Sequence, residues 1–136
     1  MAIRLSTGMR NGSLDGQSFK TLMNGGKLAI FSGGQPANAD AAETGSKLVE
    51  VDVAFGTSGT GALPVQSSWA GTIGTAGIAG WFRLYGTDGS AGSSTTEVRM
   101  DGNCGVSGAD LNFTNTTLRA GATLTVDEFT LIEPAS

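Results

Sequence analysis

Any chemistry in this chain would have to come from carboxylates, arginines and one thiol, because its 136 residues include no histidine. Histidine is the side chain most enzymes use for proton transfer near neutral pH. Its absence removes Ser-His-Asp and Cys-His arrangements outright. Cys104 lies in Gly102-Asn103-Cys104-Gly105 with no cationic motif beside it, and reads as a small buried or half-buried residue. One cysteine cannot close an internal disulfide, which fits synthesis in a reducing compartment. Zinc binding fails for want of ligands. The stretch Gly56–Gly61, GTSGTG, lacks the Gly-Lys-Ser/Thr and the helix of a phosphate loop, and the third glycine of a dinucleotide fingerprint. Asp88, Asp101 and Asp110 all fall in glycine-rich stretches that read as turns. Turn aspartates can bind calcium, but none of the three has the spacing of a calcium loop, and aspartate also caps its own backbone in turns. Two carboxylates would suffice for a glycosidase, yet aromatic residues are only 7% of the chain, too few for a sugar-stacking cleft. The expectation is no catalytic residue, no cofactor and no metal.

The elements that would carry these residues are strands. Twenty-two glycines separate short alternating apolar runs, the pattern of many short β-strands joined by turns. The length suits one domain, 1–136, and 39% apolar residues can supply a core. Charged residues are only 15%, so Ser, Thr, Asn, Gly and Ala must cover much of the surface, which lowers the desolvation cost of packing against neighbours. Residues 1–50 balance at +1 (five basic, four acidic) and 51–136 at −5 (three basic, eight acidic). With no run of Lys or Arg, direct nucleic-acid binding and attachment to an anionic membrane are both disfavoured. No apolar stretch is long enough to span a bilayer, and the first residues have no signal-peptide core.

The cap signals predict one helix over Asp15–Asn24. Asp15 serves as its N-cap, Phe19, Leu22 and Met23 share a face, and Gly25 takes the left-handed position past its end. Period-two patterning predicts strands at Lys27–Ser32, Lys47–Phe55, near Val65–Ile73, Gly80–Gly86, Thr95–Asp101, within Val106–Leu118, and at Thr123–Ile132 with a bulge at Asp127 and Glu128. Val51, Phe82, Leu84, Val126 and Phe129 are the expected core. The fold class is all-β, a sandwich or jelly-roll-like barrel of seven to nine short strands with one short N-terminal helix.

Two places read as interfaces. In Gly80–Gly86, GWFRLYG, the residues Trp81, Arg83 and Tyr85 share one face and are of types enriched at protein contacts. The alternative is that Trp81 covers the edge of the core. Residues 1–9 form a candidate extended arm, with Ile3, Leu5 and Met9 as its apolar contacts. The alternative is that Ile3 and Leu5 belong to an edge strand of the domain's own sheet.

Three segments resemble a family of small tailed-bacteriophage virion structural proteins: AIRLSTGMRNGSL followed by GGKLAIFSGGQPANADAAETGSKL, then AGWFRLYGTDG, then GVSGADLNFTNTTLRAGATLTVDEFTLIEPA. They cover nearly three fifths of the chain and contain no catalytic signature. The resemblance implies a non-enzymatic virion component assembled in the host bacterial cytoplasm. Its partners would be the phage major capsid protein or tail proteins, and it would be a homo-oligomer, such as a trimer. A capsid decoration or cement protein in many copies on the shell is the first reading. A tail or tail-fibre accessory protein is the second, and an envelope-degrading enzyme a distant third.

Overall fold

The computed structural model describes residues 3–17, 19–23, 25–53, 62–63, 69–86, 92–113, 116–126 and 131–132. In chain order the elements are β1 (Arg4–Leu5), α1 (Thr7–Leu14), α2 (Phe19–Met23), β2 (Lys27–Ser32), β3 (Lys47–Asp52), β4 (Ala62–Leu63), β5 (Trp69–Thr72), β6 (Gly77–Tyr85), β7 (Arg99–Gly105), β8 (Leu111–Asn112), β9 (Thr117–Leu118), β10 (Thr123–Val126) and β11 (Leu131–Ile132). The main sheet runs β1-β7-β6-β2-β3, and each neighbouring pair in that order is antiparallel. β8 joins β7 in parallel, and β9 joins the start of β6. β5 pairs with β10 and β4 with β11. The all-β class stands. The strands outnumber the expected seven to nine because pieces too short to show an alternating pattern still pair, two residues at a time.

The helical segment departs from its prediction. Asp15 ends a helix instead of starting one, and two short helices replace the single Asp15–Asn24 helix. Ser6 is the N-cap of α1: its backbone is extended and its side chain accepts from the Met9 amide at 3.1 Å. At the other end Gly16 is left-handed at φ 97°; its N–H donates to Ser13 O and that of Gln17 to Gly12 O, which closes the helix as a Schellman motif. Gly8 inside α1 is required by a close approach, since a Cβ there would sit 2.3 Å from Thr96 O. Gly25 is left-handed as expected, φ 85°.

The extended-arm reading of residues 1–9 is also corrected, for its described part. Arg4 and Leu5 pair with Asp101 and Met100 of β7, so β1 is an edge strand of the domain's own sheet. Met9 lies in α1 and is buried in the core, while Ile3 and Leu5 keep surface exposure of 43% and 41%.

The first face of the main sheet carries Leu28 and Ile30 of β2, Val49 and Val51 of β3, Phe82 and Leu84 of β6 and Met100 of β7, all in one core cluster. A bulge opposite Ile30 and Phe31 inserts one extra residue into β3, and Leu48 joins the same core. Trp69, Ile73 and Leu124 belong to the cluster from the β5–β10 side, and Met9 and Met23 from the helices. Burial of a side chain such as Leu28 or Phe82 contributes about 1.5–3 kcal/mol. Of the expected core, Val51, Phe82 and Leu84 are buried; the Val126 side chain and Phe129 lie outside the described residues, as do Asp127 and Glu128. Among the described residues no helix is long and apolar enough to cross a membrane.

Candidate functional site

The second face of the main sheet collects the charged and aromatic side chains. Strand register sets Arg4, Asp101, Arg83 and Ala29 in one row across β1, β7, β6 and β2, with Arg99 beside Tyr85 in the next row. Phe31 and Trp81 stack at 4.3 Å between ring centroids, and the Arg83 guanidinium lies 5.3 Å from the Trp81 ring. Arg83 and Asp101 form a two-pronged ion pair, Nε to Oδ1 at 2.7 Å and Nη2 to Oδ2 at 2.9 Å, with both side chains at 0% exposure.

The segment 33–46 closes over this face as a strap, and the cations hold it by its main chain. Arg83 Nη1 donates to Ala41 O at 2.8 Å. Arg99 Nη1 reaches Ala39 O, Asp40 O and Ala41 O at 3.3, 3.4 and 3.2 Å. Arg4 Nη1 donates to Pro36 O at 2.7 Å, and Trp81 Nε1 to Thr44 O at 3.3 Å. The second Arg99 nitrogen is taken by Glu97 Oε2 at 2.6 Å and by Gly92 O. Gly80 lets the strap begin flush on β6, because a Cβ there would lie 2.1 Å from Gly33 O. A buried guanidinium is costly unless its N–H groups are filled. Here the Asp101 and Glu97 carboxylates and main-chain oxygens take up most of them.

Two polar side chains tie down the N-terminal elements, Asp40 to the strap and Ser6 to β7 and the residues just before it. Both Asp40 carboxylate oxygens accept from Thr7, from its amide at 2.7 Å and its hydroxyl at 2.5 Å, so the carboxylate sits at the positive end of α1. Ser6 is buried and fully used: its hydroxyl donates to Glu97 O and accepts from the Met9 and Arg99 amides. Burial alone would lift the Asp40 carboxyl. The Thr7 bonds and the Arg10 and Arg99 charges outweigh it and hold the group below its ordinary value. Burial pushes the Asp101 carboxyl upward, against the pull of Arg83, Arg99 and Arg4.

These placements revise the predicted sites. Trp81, Arg83 and Tyr85 do share a face, but all three are buried, Trp81 and Arg83 bonded to the strap, so they present no open interface. Trp81 does not cover the edge of the main core but packs in a small second cluster with Ala29, Phe31 and Tyr85 on the other face of the sheet. Asp101 stands in the middle of β7 and not in a turn. Asp110 is engaged in its own loop: its carboxylate accepts from the Asn103 amide at 3.1 Å, and its amide donates to Asn103 Oδ1 at 2.9 Å. Asp88 and the GTSGTG stretch lie outside the described residues. Burial, and then the Asp110 charge, push the Cys104 thiol up to about 12, so little thiolate exists at neutral pH. Among the described residues no three His, Cys, Asp or Glu side chains come together to hold a metal ion.

Ser6, Asp40 and Arg99 escaped the sequence reading. A serine directly before α1 was the one local signal for Ser6. The strap is gripped through backbone carbonyls, which leave no trace in a residue pattern. No family model, curated protein or solved structure matches the chain.

Proposed function

We propose that the protein is a non-enzymatic structural component of a tailed-bacteriophage virion: a decoration or cement protein packed in many copies on the capsid shell. The observation that carries this reading is the strap. The Arg83–Asp101 pair and Arg99 are sealed from solvent and committed to fixing a segment of mostly small residues, GGQPANADAAETGS, with Asp40 and Glu43 as its two acids, as the outer skin of the sheet. An arrangement of that kind serves to present a shaped, weakly charged surface for packing. The three segments that resemble small phage structural proteins supply the particle. The β5–β10 pair, which contributes Trp69 and Leu124 to the core of the main sheet, supports a two-layer sandwich as the finished architecture.

On this reading the major capsid protein is the partner, homo-oligomers such as trimers form, and assembly takes place in the host bacterial cytoplasm. A stained gel of purified virions tests it. Hundreds of copies per particle, retained on tailless heads, are the expected result. Presence in complete virions and absence from tailless heads would move the protein to the tail. Absence from both would overturn the reading.

A further inference from the structure

β1 ends the main sheet, and its outer edge is set up for pairing. The Ser6 amide donates to Arg99 O of β7 at 3.0 Å, so Ser6 and, two residues back, Arg4 direct their backbone groups into the sheet. By the alternation of an antiparallel ladder, the N–H and C=O groups of Ile3 and Leu5 point outward. Both side chains lie on the apolar face: Leu5 opposite Met100, and Ile3 over Gly102, where its Cδ1 would lie 3.0 Å from an added Cβ. Arg4, between them, lies on the other face, half-buried. Pro36 O accepts from its Nη1, and its charge also acts on Asp101, its register partner in β7. The surroundings are locally cationic: Arg4, Arg10, Arg83 and Arg99 stand against Asp40, Glu97 and Asp101, a balance of +1 in a chain of net charge −4.

We infer that the outer edge of β1 accepts an extended segment of a partner protein in which a carboxylate stands between two apolar residues. The two apolar residues exchange backbone bonds with Ile3 and Leu5 and extend the apolar face. The acidic residue falls opposite Arg4 and pairs with its charge. A second copy of the chain fits less well. Pairing Ile3 with the other copy's Leu5 sets Arg4 directly against its own counterpart, a like-charge contact. Sliding further toward α1 is stopped at Thr7, where the backbone is already helical. The inference rests on β1 alone, so it can hold or fail independently of the particle reading.

The test titrates the isotope-labelled whole protein with the blocked peptide Thr-Val-Glu-Val-Thr and follows each amide by NMR. The Ile3 and Leu5 amides should shift and gain protection from hydrogen exchange. The Thr-Val-Lys-Val-Thr peptide should bind about fivefold more weakly, and N-methylation of both valines should abolish binding. In Arg4→Glu the preference between the two peptides should reverse. No shift at Ile3 and Leu5 with millimolar peptide, equal affinity for the two peptides, or unchanged binding after N-methylation would overturn the inference. So would a concentration-dependent shift of the same amides in the protein alone, which would give the edge to a second copy.

Discussion

Replacing Asp101 alone should cost more than replacing Asp101 and Arg83 together. The pair is fully buried and two-pronged, at 2.7 and 2.9 Å. Asp101→Leu leaves a guanidinium in the protein with Ala41 O as its remaining hydrogen-bond partner, and stranding a buried charge costs about 3–5 kcal/mol. Arg83→Met strands the carboxylate instead, softened by Arg99 and Arg4 nearby, and should fall at the lower end of that range, about 3 kcal/mol. The double variant buries no unpaired ion. It loses the bond to Ala41 O, about 1 kcal/mol. The coupling energy of the cycle is then about 5–7 kcal/mol, well outside the error of additivity. Urea unfolding followed by tryptophan fluorescence reads it, since Trp81 packs on Phe31 beside Arg83. A coupling below about 0.5 kcal/mol, the level of independent sites, would refute the account of the strap's anchorage.

Two glycines in α1 should respond with opposite sign. Gly8→Ala should destabilise by about 1–3 kcal/mol despite better helix propensity, because the added Cβ meets main-chain oxygens of Thr96 and Glu97. Gly12→Ala should be neutral or stabilising by up to about 1 kcal/mol, because the nearest atoms it meets are the movable ends of the Leu22 and Gln17 side chains; thermal unfolding checks both. Asp40, held below its ordinary carboxyl value, stabilises the fold where it is ionised in both folded and unfolded chains, and that contribution is lost as pH falls through its folded value. Asp40→Asn should therefore lower stability near neutrality and flatten its decline below about pH 4, read from urea midpoints against pH. Cys104, with its thiol pushed up to about 12, should react with a disulfide reagent at pH 8 far more slowly in the folded protein than after denaturation.

The parts of the fold legible in the sequence were those set by alternation. Lys27–Ser32 appears at the bounds read from its residues because apolar side chains occupy both phases, the mark of a strand covered on both faces. Val49, Val51 and Val53 are buried while Glu50 and Asp52 are exposed, as their spacing requires. The helix was misplaced because propensity argued against it: Gly8 and Gly12 lower intrinsic helicity, and Asp15 is a better cap by type than by position. Tertiary packing reversed that weighting, since Gly8 is the residue that lets α1 lie against Thr96 and Glu97. Alternation placed Trp81, Arg83 and Tyr85 on one face correctly but carried no information about what covers that face. The cover is a loop more than thirty residues upstream, bound through its carbonyls.

That mode of binding separates what the loop is from how the loop is held. Pro36, Ala39, Asp40, Ala41 and Thr44 are gripped by main-chain oxygen, and of these only Asp40 also contributes its side chain to the anchorage. The side chains between them at Ala37, Asn38 and Ala42 are exposed, so changing their identity should leave the anchoring bonds in place. Such a loop is a display frame. Its outward vocabulary can drift under selection for a changing neighbour while the arginines beneath keep the same grammar.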